Sequence, residues 1–108
     1  MQQYCCIVCH MGISEDGLFK ALSDRRRRLI IDELLARDQQ SLFELCTRLI
    51  SLQDVGISRH GISRHLQVLE NVGVIEVRWQ GNTKIHSLNT TPLSGLSKGW
   101  LSKFEVED

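Results

Sequence analysis

Three cysteines and a histidine lie close together near the start of the chain, at Cys5, Cys6, Cys9 and His10. Thiolate and imidazole are ligands that zinc and softer metal ions prefer, and clustered thiols also respond to oxidants. The run from Cys6 to His10 also spells the Cys-x-x-Cys-His pattern of c-type haem attachment, but that chemistry requires export and no signal-peptide pattern is present. We favour a flexible tail over residues 1–13, with an alternative start at Met11. A metal- or redox-responsive cluster remains the alternative.

A second set of polar side chains recurs at helical spacing in the middle of the chain. We predict a helix over Arg59–Asn71, capped by Ser58 and followed by Gly73. Its buried face is predicted from apolar residues at i, i+4 and i+7: Ile62, Leu66 and Leu69. The opposite face carries His60, Ser63, Arg64 and Gln67. Because a guanidinium suits guanine and an amide suits adenine, Arg64 and Gln67 predict a helix that reads base edges in the major groove of DNA.

After residue 74 the hydrophobic period changes from helical to two. Apolar Ile75, Val77 and Trp79 alternate with Glu76, Arg78 and Gln80. Gly81-Asn82 is a turn signal, and Lys84–Leu88 supplies the returning strand of a hairpin. Four side chains near its tip are predicted to hold the DNA backbone or probe the minor groove: Arg78, Gln80, Asn82 and Lys84. Trp79 and Trp100 are predicted to be core or interface anchors.

Three helices are predicted before the reading helix. Ser14 and Asp24 are expected to cap the first two. Ser41 and Glu44 have the Ser-x-x-Glu spacing of a capping box at the start of the third. The apolar stripe behind this box consists of Leu42, Leu45, Cys46, Leu49 and Ile50. The position of Cys46 on that stripe predicts a buried structural thiol.

A final amphipathic helix is expected after the hairpin, with Thr91 as N-cap and Pro92 at its first position. Its apolar residues are Leu93, Leu96, Trp100, Leu101 and Phe104. A chain of this size has too little other surface to cover that stripe, which predicts a two-fold dimer. Such a dimer would place two reading helices about one turn of DNA apart, ~34 Å, and favours a near-palindromic operator.

The composition fits one globular domain, which we place at residues 14–105. The chain has 108 residues, 42% of them hydrophobic, and no stretch approaches the ~20 apolar residues of a membrane span, so a cytoplasmic location is expected. The 13 basic residues balance 13 acidic ones, but residues 59–84 hold four basic side chains and two histidines against two glutamates. No phosphate-binding glycine loop or metal-hydrolase motif is present, so neither enzyme activity nor a cofactor is expected.

Several blocks, taken as a set, resemble the ArsR family of winged-helix repressors. They are Phe19-Lys-Ala-Leu-Ser-Asp24, Ile62-Ser-Arg-His-Leu66, Val68-Leu-Glu70 and Val72-Gly-Val-Ile75. The ending Ser87–Leu93, with Trp100 behind it, is similar to the branch of SdpR-type autorepressors. The resemblance spans nearly the whole chain from Leu18 to Phe104. It implies a mainly α winged helix-turn-helix in the order helix-helix-helix-turn-helix-hairpin-helix, and a homodimer paired through its first and last helices.

Some features depart from the family pattern. Asp24-Arg-Arg-Arg27 stands where the family often has Asp-Pro-Thr-Arg, and the turn over Ser51–His60 is several residues longer than usual. The arginine run at 25–28 circles a helix, so only some of its members can face phosphates. The family's usual metal-sensing sites are both missing, because the third helix has only Cys46 and the last helix has no histidine or cysteine.

The predicted function is sequence-specific binding of double-stranded DNA by a homodimeric repressor of its own or a neighbouring promoter. The predicted DNA contacts are Ser58, Arg59, His60, Ser63, Arg64, His65, Gln67, Arg78, Gln80, Asn82 and Lys84. The predicted dimer contacts are Leu18, Phe19, Leu22, Leu93, Leu96, Trp100, Leu101 and Phe104. The alternative is a winged-helix module that binds protein, which would need an apolar or acidic outer face on the fourth helix. The sequence identifies no small-molecule or metal effector.

Overall fold

A computed structural model of the chain describes residues 15–50 and 58–104. It contains a helical body and a three-stranded antiparallel sheet, the winged helix-turn-helix architecture predicted from the sequence. The elements in chain order are α1 (Glu15–Leu22), α2 (Arg25–Ala36), β1 (Gln40–Ser41), α3 (Leu42–Arg48), α4 (Arg59–Asn71), β2 (Ile75–Gln80), β3 (Thr83–Leu88) and α5 (Thr91–Lys98), followed by a 3-10 helix (Trp100–Phe104). No helix in these two ranges is long and apolar enough to cross a membrane.

The helix starts follow from side-chain caps, because the first N–H groups of a helix have no partner within it. Asp24 accepts a hydrogen bond from the Arg26 N–H at 2.8 Å and begins α2. Ser41 and Glu44 form both bonds of the predicted capping box of α3, at 3.2 and 2.9 Å. Ser58 accepts from the Gly61 N–H at 3.0 Å and begins α4 where the sequence predicted. The predicted cap of α1, at residue 14, lies outside the described residues.

The sheet has the order β1-β3-β2, so β2 is an edge strand. The hairpin turns at Gly81, whose φ of 65° is in the region that glycine enters without a steric penalty. Gly73, with φ of 82°, ends α4 in the same way. The two-residue strand β1, Gln40–Ser41, was not predicted, because it is defined by its pairing with the distant strand β3 and no local sequence pattern marks it.

One hydrophobic core joins the helices to the base of the hairpin. Its buried members are Leu18, Ala21, Ile30, Ile31, Leu34, Leu45, Cys46, Leu49, Ile62, Leu66, Leu69, Val74, Ile75 and Leu96. Cys46 is buried as predicted, and burial raises the pKa of its thiol, which keeps it in the unreactive protonated form. The predicted buried face of α4, formed by Ile62, Leu66 and Leu69, is therefore confirmed.

The end of the chain differs from the single amphipathic helix that was predicted. The helix α5 stops at Lys98, and a short 3-10 helix begins after Gly99. Thr90 stands at the N-cap and makes no side-chain cap bond, whereas Thr91 was predicted there. The apolar spacing of Leu96, Trp100 and Phe104 suits a continuous helix, but the C-cap of α5 is Gly99, whose N–H donates to the Leu96 carbonyl three residues back.

The interpretation of Trp79 as a core anchor is wrong, because 67% of its surface is exposed. The alternation along β2 is real, with Ile75 buried and Val77 half-buried on the same face. The hairpin extends beyond the helices that cover its base, so the described residues leave this face largely uncovered at Trp79.

Candidate nucleic-acid interface

The outward face of α4 carries the polar residues predicted for DNA reading. His60, Ser63, Arg64 and Gln67 are all exposed, while the opposite face of the helix is buried in the core. Gln67 donates from Nε2 to Asn71 Oδ1 at 3.1 Å across one exposed turn of the helix. Arg64 makes no hydrogen bond or ion pair with any described residue. The arrangement offers an imidazole, a hydroxyl, a guanidinium and an amide to a partner.

The first turn of α4 contains the other predicted contacts at its N-terminus. Ser58 is exposed and uses its hydroxyl oxygen as the helix cap, and Arg59 and His60 follow as exposed residues of the first turn. The helix therefore begins with the first of the two Ser-Arg-His repeats and includes the second. The segment 51–57, which contains most of the unusually long turn, lies outside the described residues.

His65 occupies a different side of α4 from the other predicted contacts. It is half-buried, and its Nδ1 accepts a hydrogen bond from Arg27 NH1 of α2 at 3.3 Å. Burial lowers the pKa of His65, and the neighbouring Arg27 adds to this effect while the Asp24 carboxylate opposes it. The neutral ring that results is suited to accept from Arg27, so His65 joins α4 to α2.

The arginine run of α2 has a structural use that sequence reasoning missed. Arg27 Nε donates to the Ala21 carbonyl at 2.7 Å, and Arg28 NH1 donates to the Leu22 carbonyl at 2.6 Å. These carbonyls belong to the last turn of α1, where helical partners are missing. Two of the four arginines therefore cap α1 from outside, a role that spacing alone does not reveal.

The hairpin places one of the other predicted contacts, Lys84, beside α4. Arg78 donates to Gln39 Oε1 at 2.7 Å, and Lys84 Nζ lies 4.0 Å from Glu70 Oε1 of α4. Gln80 and Asn82 are exposed at the tip. Between α4 and β3 lies a cavity of about 130 Å³, lined by Leu42, Ser63, Leu66, Gln67, Glu70, Lys84 and His86. Lys84 thus adjoins the α4 contacts, whereas Arg78 lies on the opposite face of the hairpin and is bonded to Gln39.

A buried polar network at the other end of the hairpin holds it against the helices. Glu33 of α2 accepts from Arg48 Nε of α3 and from Gln40 Nε2, the latter at 3.1 Å. The Gln40 side chain also donates to the Arg37 carbonyl at 2.6 Å. His86 of β3 donates from Nδ1 to the Gln40 carbonyl at 3.1 Å. These contacts connect α2, α3, β1 and β3, and Gln40, Glu33 and His86 are all buried.

This network was missed in the sequence, although one signal was available. Glu33 falls three residues after Ile30 and one before Leu34, inside the apolar stripe of α2. A charged residue on such a stripe indicates a buried partner. Nothing local marks Gln40 or His86, because their pairing depends on the register of β1 with β3.

The predicted dimer contacts divide into three groups by exposure. Leu18 and Leu96 are buried within the chain itself, with exposed fractions of 3% and 5%. Phe19, Leu22 and Leu93 are half-buried, and Trp100, Leu101 and Phe104 are exposed. The Trp100 ring meets Phe19 edge-on with centroids 6.1 Å apart and meets Phe104 at 4.8 Å. We call Phe19, Trp100, Leu101 and Phe104 the aromatic patch.

The predicted alternative site, formed by Cys5, Cys6, Cys9 and His10, lies outside the described residues. Within residues 15–50 and 58–104, no three histidine, cysteine or acidic side chains are grouped as a metal ion requires. The described cysteine, Cys46, is free and buried.

Comparison with known proteins places this arrangement among transcriptional regulators. The chain is 43% identical to the uncharacterized HTH-type transcriptional regulator YuzN of Bacillus subtilis (strain 168), over 84% of this chain and 99% of that protein. It is 35% identical to the transcriptional repressor SdpR of the same organism, over 82% of this chain and 90% of that protein. No protein-family model matches the chain.

Solved structures give the same result. An ArsR-like transcriptional regulator from Rhodococcus sp. RHA1 superimposes with a TM-score of 0.67 and 28% identity, over 82% of this chain and 76% of that one. The homodimeric winged helix-turn-helix DNA-binding domain Mb0332 from Mycobacterium bovis has a TM-score of 0.60 over the full length of both chains, and at 19% identity it supports the fold alone. The helix α4 and the hairpin have a winged helix-turn-helix arrangement, and these relatives are transcriptional regulators. The chain therefore belongs to the ArsR family of winged helix-turn-helix transcriptional regulators.

Proposed function

We propose that the chain binds operator DNA as a homodimer and represses its own or a neighbouring promoter, acting by binding and not by catalysis. The observation that carries this proposal is the outward face of α4, on which Ser63, Arg64 and Gln67 are exposed while the opposite face is buried. A helix held in this way presents hydrogen-bonding groups to the major groove. The similarity to a protein named as a transcriptional repressor supports repression as the regulatory effect.

In this proposal Arg64 reads a guanine and Gln67 reads an adenine in each half-site. Arg64 is ready to bind, because it has no partner among the described residues. Gln67 must exchange its bond with Asn71 for the base, at little cost because that bond is exposed. His60 and Ser63 contact bases or phosphates, and Ser58 and Arg59 lie where the DNA backbone crosses the start of the helix. His65 acts from behind the helix, through Arg27.

The hairpin is the wing that holds the flanking backbone. Arg78 and Lys84 are the cations of this element, and Gln80 and Asn82 are the exposed polar residues at its tip. Lys84 would leave Glu70 for a phosphate, a small change because the pair is long and partly exposed.

The aromatic patch is the proposed dimer surface. It contains Trp100 and Phe104, which remain 49% and 60% exposed in the single chain, and it adjoins α1 through Phe19. Large aromatic side chains dominate the energetics of protein interfaces, and exposed patches of them mark such surfaces. Leu18 and Leu96 support this surface from beneath. A two-fold pairing here gives two reading helices about one turn of DNA apart and a near-palindromic operator.

The test is fluorescence anisotropy of the purified protein with a labelled duplex from upstream of its own gene. The titration is run at two salt concentrations, with unrelated DNA as competitor. Saturable binding that resists the competitor and weakens with salt is the expected result. Equal affinity for unrelated DNA would contradict the proposal and favour the protein-binding module. Repeating the titration with chelator and with oxidant tests whether Cys5, Cys6, Cys9 and His10 form a responsive site.

A further inference from the structure

Trp79 is an unusually exposed aromatic residue on the wing. Its exposed fraction is 67%, although tryptophan buries more surface than any other side chain when it is covered. On the same strand face, Ile75 is 1% exposed and Val77 is half-buried. The apolar face of β2 therefore continues past the part of the body that the structure describes and ends in a largely exposed indole.

The strand register fixes where this indole lies. Trp79 is paired directly with Lys84 across the hairpin, so both side chains are on the same face of the sheet. Lys84 lies against Glu70 of α4 and lines the cavity together with Ser63 and Gln67. Trp79 is thus at the level of the α4 residues that face outward, and it stands on the edge strand, away from β1.

We infer that Trp79 is a DNA-contact residue of the wing, packing its indole against the deoxyribose rings that border the minor groove. This inference rests on the proposed function. Lys84, the cross-strand partner of Trp79 on the same face, is cationic and complements the phosphates that flank each sugar. The sugar presents an apolar surface between those charges, and an indole covers it with a large apolar area at little conformational cost. Proteins that hold a minor groove commonly place apolar side chains there.

Trp79→Ala tests the inference directly in the full chain. We expect affinity for the upstream duplex to fall roughly tenfold, since truncating an aromatic residue that packs at an interface commonly costs this much. The dependence of affinity on salt should not change, because an indole releases no counterion, whereas Lys84→Ala should reduce the slope by about one unit. Trp79→Phe should restore part of the loss. Leu35→Ala is the matched control, since Leu35 is 70% exposed on α2 and should leave the affinity unchanged.

Tryptophan emission provides a second readout. The chain has two tryptophans, so the tryptophan emission that remains in Trp79→Phe comes from Trp100. Addition of the duplex should quench emission of the unaltered protein, and the quenching should be lost in Trp79→Phe. Sedimentation should find the same oligomeric state in both proteins.

The outcomes separate this inference from the proposed function. Parental affinity in Trp79→Ala, or quenching that persists in Trp79→Phe, overturns the contact while leaving the repressor proposal in place. A loss of the dimer in Trp79→Ala would assign the indole to a second copy of the chain instead, and would also overturn it. If the unaltered protein does not discriminate its upstream duplex from unrelated DNA, both proposals fail together.

Discussion

Arg64, like Arg59 on the same helix, makes no hydrogen bond or ion pair with a described residue, unlike the other cations near the proposed DNA surface. Arg27 and Arg28 are committed to the carbonyls of α1, and Arg78 is bound to Gln39. Lys84 faces Glu70 across a long, partly exposed gap. A side chain that is exposed and unengaged loses no internal contact when it binds, so its full hydrogen-bonding capacity is available to a base.

We therefore expect Arg64→Ala to weaken operator binding by about 1–3 kcal/mol and to relax the preference at one base pair in each half-site. Arg64→Lys should not restore that preference, because an ammonium lacks the planar fork that matches guanine. Binding is measured by anisotropy on duplexes that carry single base changes. Arg37→Ala removes an exposed arginine at the end of α2 and is the charge-matched control. Unchanged discrimination in Arg64→Ala would place the reading face elsewhere.

His86 connects the wing to β1, and its titration links stability to pH. Burial lowers the pKa of His86 below that of a free imidazole, with Lys84 adding to the effect and Gln40 and Glu70 opposing it. The unfolded chain then binds the proton more readily than the folded chain, so stability is full above the unfolded pKa of ~6.5 and falls as the pH drops below it. The pKa of His65 is lowered too and acts in the same direction.

We expect the free energy of unfolding to decrease between pH 7.5 and 5.5, with a contribution from His86 of at most about 1.4 kcal/mol per pH unit. His86→Asn retains a donor for the Gln40 carbonyl and removes the titration, so its unfolding should depend less on pH. Urea unfolding followed by circular dichroism at several pH values measures this. The control is His60→Asn at an exposed position of α4. An identical pH dependence in His86→Asn and the unaltered protein would show that His86 is not the titrating group.

At the scale of the elements, the predictable parts were those with local signals. The caps of α2, α3 and α4, the buried face of α4 and the turn at Gly81 were all evident from residue type and spacing. The strand β1, the buried Glu33 network and the capping of α1 by Arg27 depend on partners far along the chain, and short patterns do not encode such partners. The exposure of Trp79 follows from how far the hairpin extends past the helices, which periodicity does not specify.

The break between α5 and the 3-10 helix provides a matched pair of glycine substitutions. A Cβ on Gly99 would lie 3.1 Å from both Glu15 Oε2 and the Gly95 carbonyl, so Gly99→Ala should destabilise the chain by about 1 kcal/mol. A Cβ on Gly95, inside α5, would meet nothing within 4 Å, so Gly95→Ala should stabilise by up to about 1 kcal/mol. Thermal unfolding of the two variants measures the difference. If both substitutions change the free energy of unfolding in the same direction, the close approach at Gly99 does not determine where α5 ends.

At the scale of the whole molecule, the proposed assembly depends on the aromatic patch. Placing a charge there should separate the protomers, because a carboxylate at a packed apolar interface is left without a partner. We expect Phe104→Asp to give a monomer by sedimentation at micromolar concentration and to reduce operator affinity by more than a hundredfold, since each monomer holds one half-site. Leu35→Asp, at a more exposed apolar position on α2, should stay dimeric.

A dimer that persists in Phe104→Asp would place the interface on another surface. A monomer that retained full operator affinity would instead contradict the two-fold arrangement of half-sites. In either case the fold of the variant is checked by circular dichroism, and Phe104 is exposed enough for the substitution to leave the core intact.

The guanidinium of Arg27 joins α1, which carries part of the proposed dimer surface, to α4, the proposed reading helix. It holds the Ala21 carbonyl at the end of α1, which supports the aromatic patch through Phe19, and it holds His65 on α4. In the proposed assembly, a shift of α1 against a partner would reach α4 partly through this side chain. Coupling of this kind is reciprocal. If dimer formation raises operator affinity by some factor, operator binding raises the affinity of the two protomers for each other by the same factor. Such a protein would assemble most completely on its own DNA, and its occupancy there would rise more steeply than its concentration.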